Sequence, residues 1–275
     1  MKTSTKLIAC LLVLSLASSC SKKDSSPEEV DTTPDRSNCL LSTVTYADKP
    51  EMPYSKSNLT LKYDAEKRII QQSGGGNFTE YIYQPGKIIT KGYINSINIL
   101  NQVSEDVFTL GVNDSRITER VYRDIGGSYT DKTVYEYNAE GYLTGKKLYK
   151  YGGSLASESK FSYENGNLVT REDIYYGSPA RPTDKVYYKY DNTAFFPEAV
   201  FLPEVTDVQT GKPNKNNIVE ITVEKTSING WSDTYKTIQY SYTAKGKRLA
   251  EVKMTATTAQ GKNITSSISF DYSCP

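Results

Sequence analysis

Histidine is absent from this chain of 275 residues. Without imidazole there is no Ser-His-Asp or Cys-His nucleophile pair, no histidine-ligated zinc and no histidine general base, the commonest devices of hydrolysis near neutral pH. An excess of charge is lacking too. Lys+Arg 33 against Asp+Glu 32 leaves +1, so no field gathers a polyanion, which argues against nucleic acid as a partner. Apolar runs are short: the stretch Leu7 to Ala17 has eleven residues, too few to cross a bilayer as a helix. Tryptophan occurs once and methionine three times, whereas tyrosine occurs 23 times against seven phenylalanines. Tyrosine favours strands with one face partly wet.

Lys2 and Lys6 ahead of that apolar stretch form the charged and hydrophobic regions of a secretory signal. The segment Leu16-Ala17-Ser18-Ser19-Cys20 that follows resembles the lipobox of bacterial lipoproteins, and its hydroxyl-rich pair before the cysteine is typical of Bacteroides-group members. In that family the leucine more often stands one place later. The plainer reading is an ordinary secretory signal with a chance cysteine. The resemblance implies that residues 1–19 are removed and that Cys20 carries acyl chains of the palmitate type, each buried CH2 contributing ~0.8 kcal/mol to membrane attachment. It implies the outer membrane as the anchoring surface. Residues 20–37, with Ser21-Lys22-Lys23-Asp24-Ser25-Ser26-Pro27, are polar and without apolar period, which predicts a disordered tether. Some relatives carry an acidic run here that sends them to the cell surface; Lys22 and Lys23 before a single Asp24 match it only in part, so periplasmic and surface placements both stay open. Loss of residues 1–19 removes two lysines and no acid, turning the net +1 into −1.

Cys10 leaves with the signal and Cys20 is acylated, so Cys39 and Cys274 remain at the two ends of the folded part, residues 38–275. In an oxidising compartment two such cysteines usually pair. A bond here closes nearly the whole domain, and loop-entropy arithmetic gives on the order of 5 kcal/mol. Two unpaired buried thiols are the other reading.

A repeat runs through this domain. Tyr81-Ile82-Tyr83-Gln84-Pro85-Gly86, Tyr135-Glu136-Tyr137-Asn138-Ala139-Glu140-Gly141, Phe161-Ser162-Tyr163-Glu164-Asn165-Gly166 and Tyr240-Ser241-Tyr242-Thr243-Ala244-Lys245-Gly246 share an aromatic-x-Tyr pair, a polar turn and a glycine, and Tyr63 and Tyr190 end shorter versions. From Tyr83 the second tyrosines are spaced by 54, 26, 27 and 52 residues, and Gly126-Gly127, Gly152-Gly153 and Gly177-Ser178-Pro179 fall midway. Turns every 13 residues or so leave no room for strand-helix-strand units. They predict an all-β antiparallel up-and-down meander of about 14–16 strands, and so many strands must curve strongly or close into a barrel. Strands near ten residues also suit an outer-membrane pore. Against a pore, Asn167 to Tyr176 puts Glu172 on one alternate face and Arg171 and Asp173 on the other, and Tyr142 to Tyr151 divides Lys146 and Lys150 from Lys147. A charge facing lipid near mid-depth costs ~2–4 kcal/mol. The sheet is therefore read as soluble and held to the membrane by lipid alone.

The Tyr-x-Tyr-Asx-x-x-Gly hairpins resemble the tyrosine-aspartate repeats of large bacterial wrapping proteins. Together with the lipobox and with Lys215-Asn216-Asn217-Ile218-Val219 before a last hairpin, residues 40 to 275 resemble a family of Bacteroides-group lipoproteins, a domain of unknown function described as having a porin-like fold. The resemblance implies a curved or barrel-like sheet and brings no reaction, cofactor or catalytic residue. Ala194 to Asn217, with Pro197, Pro203 and Pro213, breaks the rhythm and reads as a long loop over one end.

The search for chemistry returns little. Gly74-Gly75-Gly76 lacks the Gly-Lys-Ser/Thr of a phosphate loop. Glu172 and Asp173 point to opposite faces, which defeats a shared acid/base role. Asp106 with Asn113-Asp114 could offer oxygens to calcium, but Asx residues in turns normally cap their own backbone, and no metal is expected. The tyrosines read first as cross-strand packing, contacts worth ~0.2–1 kcal/mol per pair, and second as a surface whose rings stack on sugars. Trp231 beside the Asn229-Gly230 turn, with Tyr137, Tyr163 and Tyr190, makes up that candidate surface. The expectation is a non-enzymatic lipid-anchored envelope protein that binds a glycan or a protein partner. The alternative is a carrier of a lipid or other apolar ligand inside the curved sheet. A carboxylate hydrolase would need two acids about 5–10 Å apart in a cleft.

Overall fold

A computed structural model describes residues 39–47, 58–96, 99–112, 116–126, 130–177, 183–202, 211–225 and 236–274. Sixteen strands follow one another: β1 Leu40–Tyr46, β2 Leu59–Tyr63, β3 Ile69–Gly74, β4 Asn77–Gln84, β5 Lys87–Ser96, β6 Ile99–Leu110, β7 Ile117–Asp124 and β8 Thr130–Tyr137; then β9 Leu143–Tyr149, β10 Leu155–Glu164, β11 Asn167–Tyr175, β12 Asp184–Ala194, β13 Asn216–Lys225, β14 Thr237–Lys245, β15 Arg248–Thr257 and β16 Asn263–Ser273. Each pairs antiparallel with its neighbours in sequence, and β1 pairs with β16 from Leu40↔Ser273 to Tyr46↔Ile268, so the meander closes into a barrel with no free edge. Closure removes the unpaired rows of amides that make a long open sheet an aggregation template. Cys39 and Cys274, just outside β1 and β16, are joined in a disulfide bond with Cα atoms 4.1 Å apart.

The turns form because the residues at them tolerate a left-handed backbone. At the β10–β11 hairpin Asn165 and Gly166 have φ of 51° and 84°, the pair of positive values that a two-residue hairpin of the right twist requires. Hairpins of this tyrosine-punctuated kind, together with the two cysteines, lie at one mouth of the barrel, here the near mouth. The ends of the odd-numbered strands β3 to β15, and the starts of the strands that follow them, lie at the far mouth.

One wall is apolar within. Val44, Ile221, Leu249, Val252 and Ile268 are fully buried and meet inward-facing Tyr188, Tyr240 and Phe270 across β12 to β16 and β1. The proline-bearing segment after β12 folds into the near mouth. Its 3-10 turn Pro197–Phe201 places Ala199 and Leu202, 2% and 0% exposed, in this core, and the Tyr46 hydroxyl donates to the Phe201 carbonyl. The segment is thus a plug in the mouth, held by Asn217, whose side chain donates to the Ala194 carbonyl and accepts from the Phe196 amide. Residues 203–210 lie outside the described part.

The outer face is of another kind. Ion pairs bridge neighbouring strands around it: Glu105–Arg123, Glu119–Lys132, Glu136–Lys147, Glu172–Lys185 and Lys189–Glu220. Simple alternation would put Leu168 on the face of Glu172. A bulge opposite Ser162/Tyr163 shifts it, so that Leu168 is buried inside with Arg171 and Asp173 while Glu172 faces out.

Candidate functional site

The second tyrosine of each repeat sits near the end of an even-numbered strand, pointing inward. Except at Tyr163, whose buried hydroxyl has no hydrogen-bond partner, its hydroxyl donates to a carbonyl at the start of the preceding strand: Tyr63 to Leu41, Tyr83 to Ile69, Tyr137 to Ile117, Tyr190 to Leu168, Tyr242 to Ile218 and Tyr272 to Leu249. Register shifts fall beside Tyr63, Tyr137, Tyr163 and Tyr190. A bulge re-aims a side chain, and here it accompanies the turn of the ring across the neighbouring backbone. Burial pushes the Tyr63 and Tyr83 phenols up to about 12, and it raises Tyr190 and Tyr163 further.

Of the sequence-derived ligand candidates, Tyr137 and Tyr190 therefore spend their hydroxyls on the framework, and the Tyr163 ring packs on Tyr142 with centroids 4.7 Å apart. The packing reading is the one their geometry supports, and none of the three lines the cavity described next. Trp231 and Cys20 lie outside the described residues, as do Asn113 and Asp114. Asp106 accepts from Arg120 and Thr90. No group of three or more potential metal-ligating side chains occurs among the described residues.

The lumen opposite the apolar wall is polar. A cavity of about 470 Å³ lies against the inward faces of β7 to β11, in their far halves. β7 contributes Arg120 and Tyr122, β8 contributes Asp131, Thr133 and Tyr135, and β9 contributes Lys146 and Leu148. Ser157 and Ser159 come from β10, and Arg171, Asp173 and Tyr175 from β11. The charged groups hold one another. The Arg171 Nε lies 2.9 Å from Asp173 Oδ2, both side chains 12% exposed. The Lys150 ammonium lies 2.7 Å from Asp131 Oδ2, and Arg120 Nε lies 2.6 Å from Asp106 Oδ1. The Tyr175 hydroxyl reaches Asp184 at 3.4 Å, and burial pushes that phenol up to about 12. Such mutual pairing fixes side chains in single rotamers and presents donors and acceptors in a set array.

None of these residues was singled out as a site from sequence. The signal was present all the same. Arg171, Asp173, Lys146 and Lys150 are ionised groups on the strand face that turns inward, and the comparison of faces that argued against a lipid-facing wall had already exposed them.

No family model matches the chain, and no curated protein matches it. Among solved structures, it is similar to a porin-like protein from Bacteroides uniformis, at 12% identity and a TM-score of 0.56, over 85% of this chain and 96% of that one. It is likewise similar to a porin-like protein from Bacteroides vulgatus, at 16% identity and a TM-score of 0.56, over 85% and 98%. At these identities the likeness is one of fold: the chain has the porin-like barrel.

Proposed function

We propose that this protein is a non-enzymatic, lipid-anchored component of the bacterial outer membrane whose barrel stands in water and binds a glycan. The observation that carries the reading is the division of the wall: ion pairs outside, charged pairs and hydroxyls around a cavity inside. Outward charges at ~2–4 kcal/mol each would oppose a lipid-facing barrel, whereas in water exposed pairs cost nothing and contribute up to ~1 kcal/mol. The anchor is then Cys20, with residues 20–37 as its tether. The porin-like neighbours favour an envelope setting. An apolar cargo is disfavoured in the cavity of about 470 Å³, because its lining is mainly polar, whereas the apolar wall is packed against the plug and its surrounding side chains. The cavity carboxylates Asp131 and Asp173 are each bound to a cation, an arrangement suited to a binding wall. Two measurements test the reading. Cys20→Ala should release the protein from membranes, and retention there would overturn the anchor. A glycan array probed with the mature protein in detergent should retain it on a defined subset of glycans; an empty array, or lipid extracted from the purified lumen, would overturn glycan binding.

A further inference from the structure

We propose that the lumen cavity between β7 and β11 is itself the sugar site and takes a neutral mono- or disaccharide unit, an inference that rests on the glycan-binding reading above. Its volume of about 470 Å³ falls within the ~300–1,000 Å³ typical of small-molecule sites. Three features select the chemistry. Most of the charge is held in pairs, Asp131 with Lys150, Asp173 with Arg171 and Asp106 with Arg120, and Lys146 is the one lining charge outside these three pairs. An anion entering the cavity meets Asp131 and Asp173, and a cation meets Arg120, Lys146 and Arg171, so a net charge of either sign faces like charge in the lining. Hydroxyls that both donate and accept come from the buried Thr133 and Ser159, 8% and 5% exposed. A polyol has the same dual character and can satisfy acceptors and donors around its whole rim. Leu148 is the one aliphatic residue of the lining, beside the rings of Tyr122, Tyr135 and Tyr175, so an apolar guest would displace water from the hydroxyls and from the unused donors and acceptors of the charged groups, at ~1–3 kcal/mol for each group left unsatisfied.

The near mouth is occupied by the plug, where the Lys212 amide donates to the Gly141 carbonyl and the Lys215 amide to that of Gly166. The cavity lies on the opposite side of these contacts, in the far halves of its strands.

The test uses the mature protein in detergent and calorimetric titration with maltose, cellobiose, xylobiose and N-acetylglucosamine, with glucuronate and glucosamine as charged controls. At least one neutral sugar should bind. Thr133→Val, which preserves shape and removes one hydroxyl, should weaken it about two- to tenfold. Ser159→Phe, which fills the cavity, should weaken it by at least about a hundredfold, with the melting temperature of each variant recorded alongside. Lys147→Gln on the outer wall should change nothing. If Ser159→Phe does not fold, the isosteric Thr133→Val decides alone. Undiminished sugar binding in the cavity variants would overturn the site while leaving glycan binding in place. Tighter binding of a charged control would overturn the neutral class. Failure of every glycan on the array would instead remove the reading on which this inference rests.

Discussion

The Tyr190 hydroxyl donates to the Leu168 carbonyl at 2.7 Å, and the same reach recurs from Tyr137 to Ile117 and from Tyr272 to Leu249. Each bond ties a strand end to its neighbour where the hairpin would otherwise fray. Tyr190→Phe keeps the ring and removes one such bond, at about 1 kcal/mol. For a chain of this size that corresponds to a fall of about 2–4 °C in Tm, read by thermal melting; Tyr151→Phe, at a site 69% exposed, should leave Tm unchanged. The same tyrosines govern behaviour in alkali. Burial pushes Tyr46, Tyr63 and Tyr83 up to about 12, while in an unfolded chain phenols ionise near 10. Between those values the folded state retains protons that the unfolded state has released, so stability is full below pH ~10 and declines as pH rises through ~12. Phenolate absorbance should therefore show a gradual rise from exposed rings, followed by a step that coincides with loss of β-sheet circular dichroism. A smooth titration of all tyrosines with the fold intact would contradict this.

Among the elements, the plug depends on few contacts. Asn217 is fully buried and holds the Phe196 amide, the Ala194 carbonyl and the Thr193 hydroxyl. Asn217→Leu leaves the amide and carbonyl without that partner, at ~1–3 kcal/mol each. Amide exchange in residues 195–202 should accelerate by one to two orders of magnitude, with β4 and β5 unaffected; equal acceleration everywhere would mean that the plug and the barrel unfold as one. The strands and turns were legible in the chain because glycine and Asx stand where a positive φ is needed, as at Asn165-Gly166. The plug was legible only as an interruption, since prolines announce a break in a ladder without saying where the chain goes next. Leu168 escaped because a bulge reverses which way it faces, and no local residue type dictates one. The cavity escaped for a related reason: Arg120, Asp131 and Asp173 come from separate strands and meet only after the sheet has curled.

For the molecule as a whole, the pairing of β1 with β16 decides between an open sheet and a barrel. Strand number followed from counting turns, but this contact joins residues more than two hundred positions apart and depends on accumulated twist and shear, which no short motif encodes. The bond between Cys39 and Cys274 spans 235 residues and, in the loop-entropy picture, contributes on the order of 5 kcal/mol. Melting with and without reductant measures it. A fall of at least about 10 °C is expected at about 2–4 °C per kcal/mol, and an unchanged Tm would show that the β1–β16 ladder closes unaided.

With its first and last strands fastened to each other beside that ladder, the barrel is in effect a ring, and which strand comes first is a matter of the gene and not of the architecture. Residues 39 and 274 could be joined by a short linker and new termini opened at the Gly152-Gly153 turn, whose glycines a Cβ would meet nothing within 4 Å, giving a circularly permuted protein with the same sixteen-stranded outline.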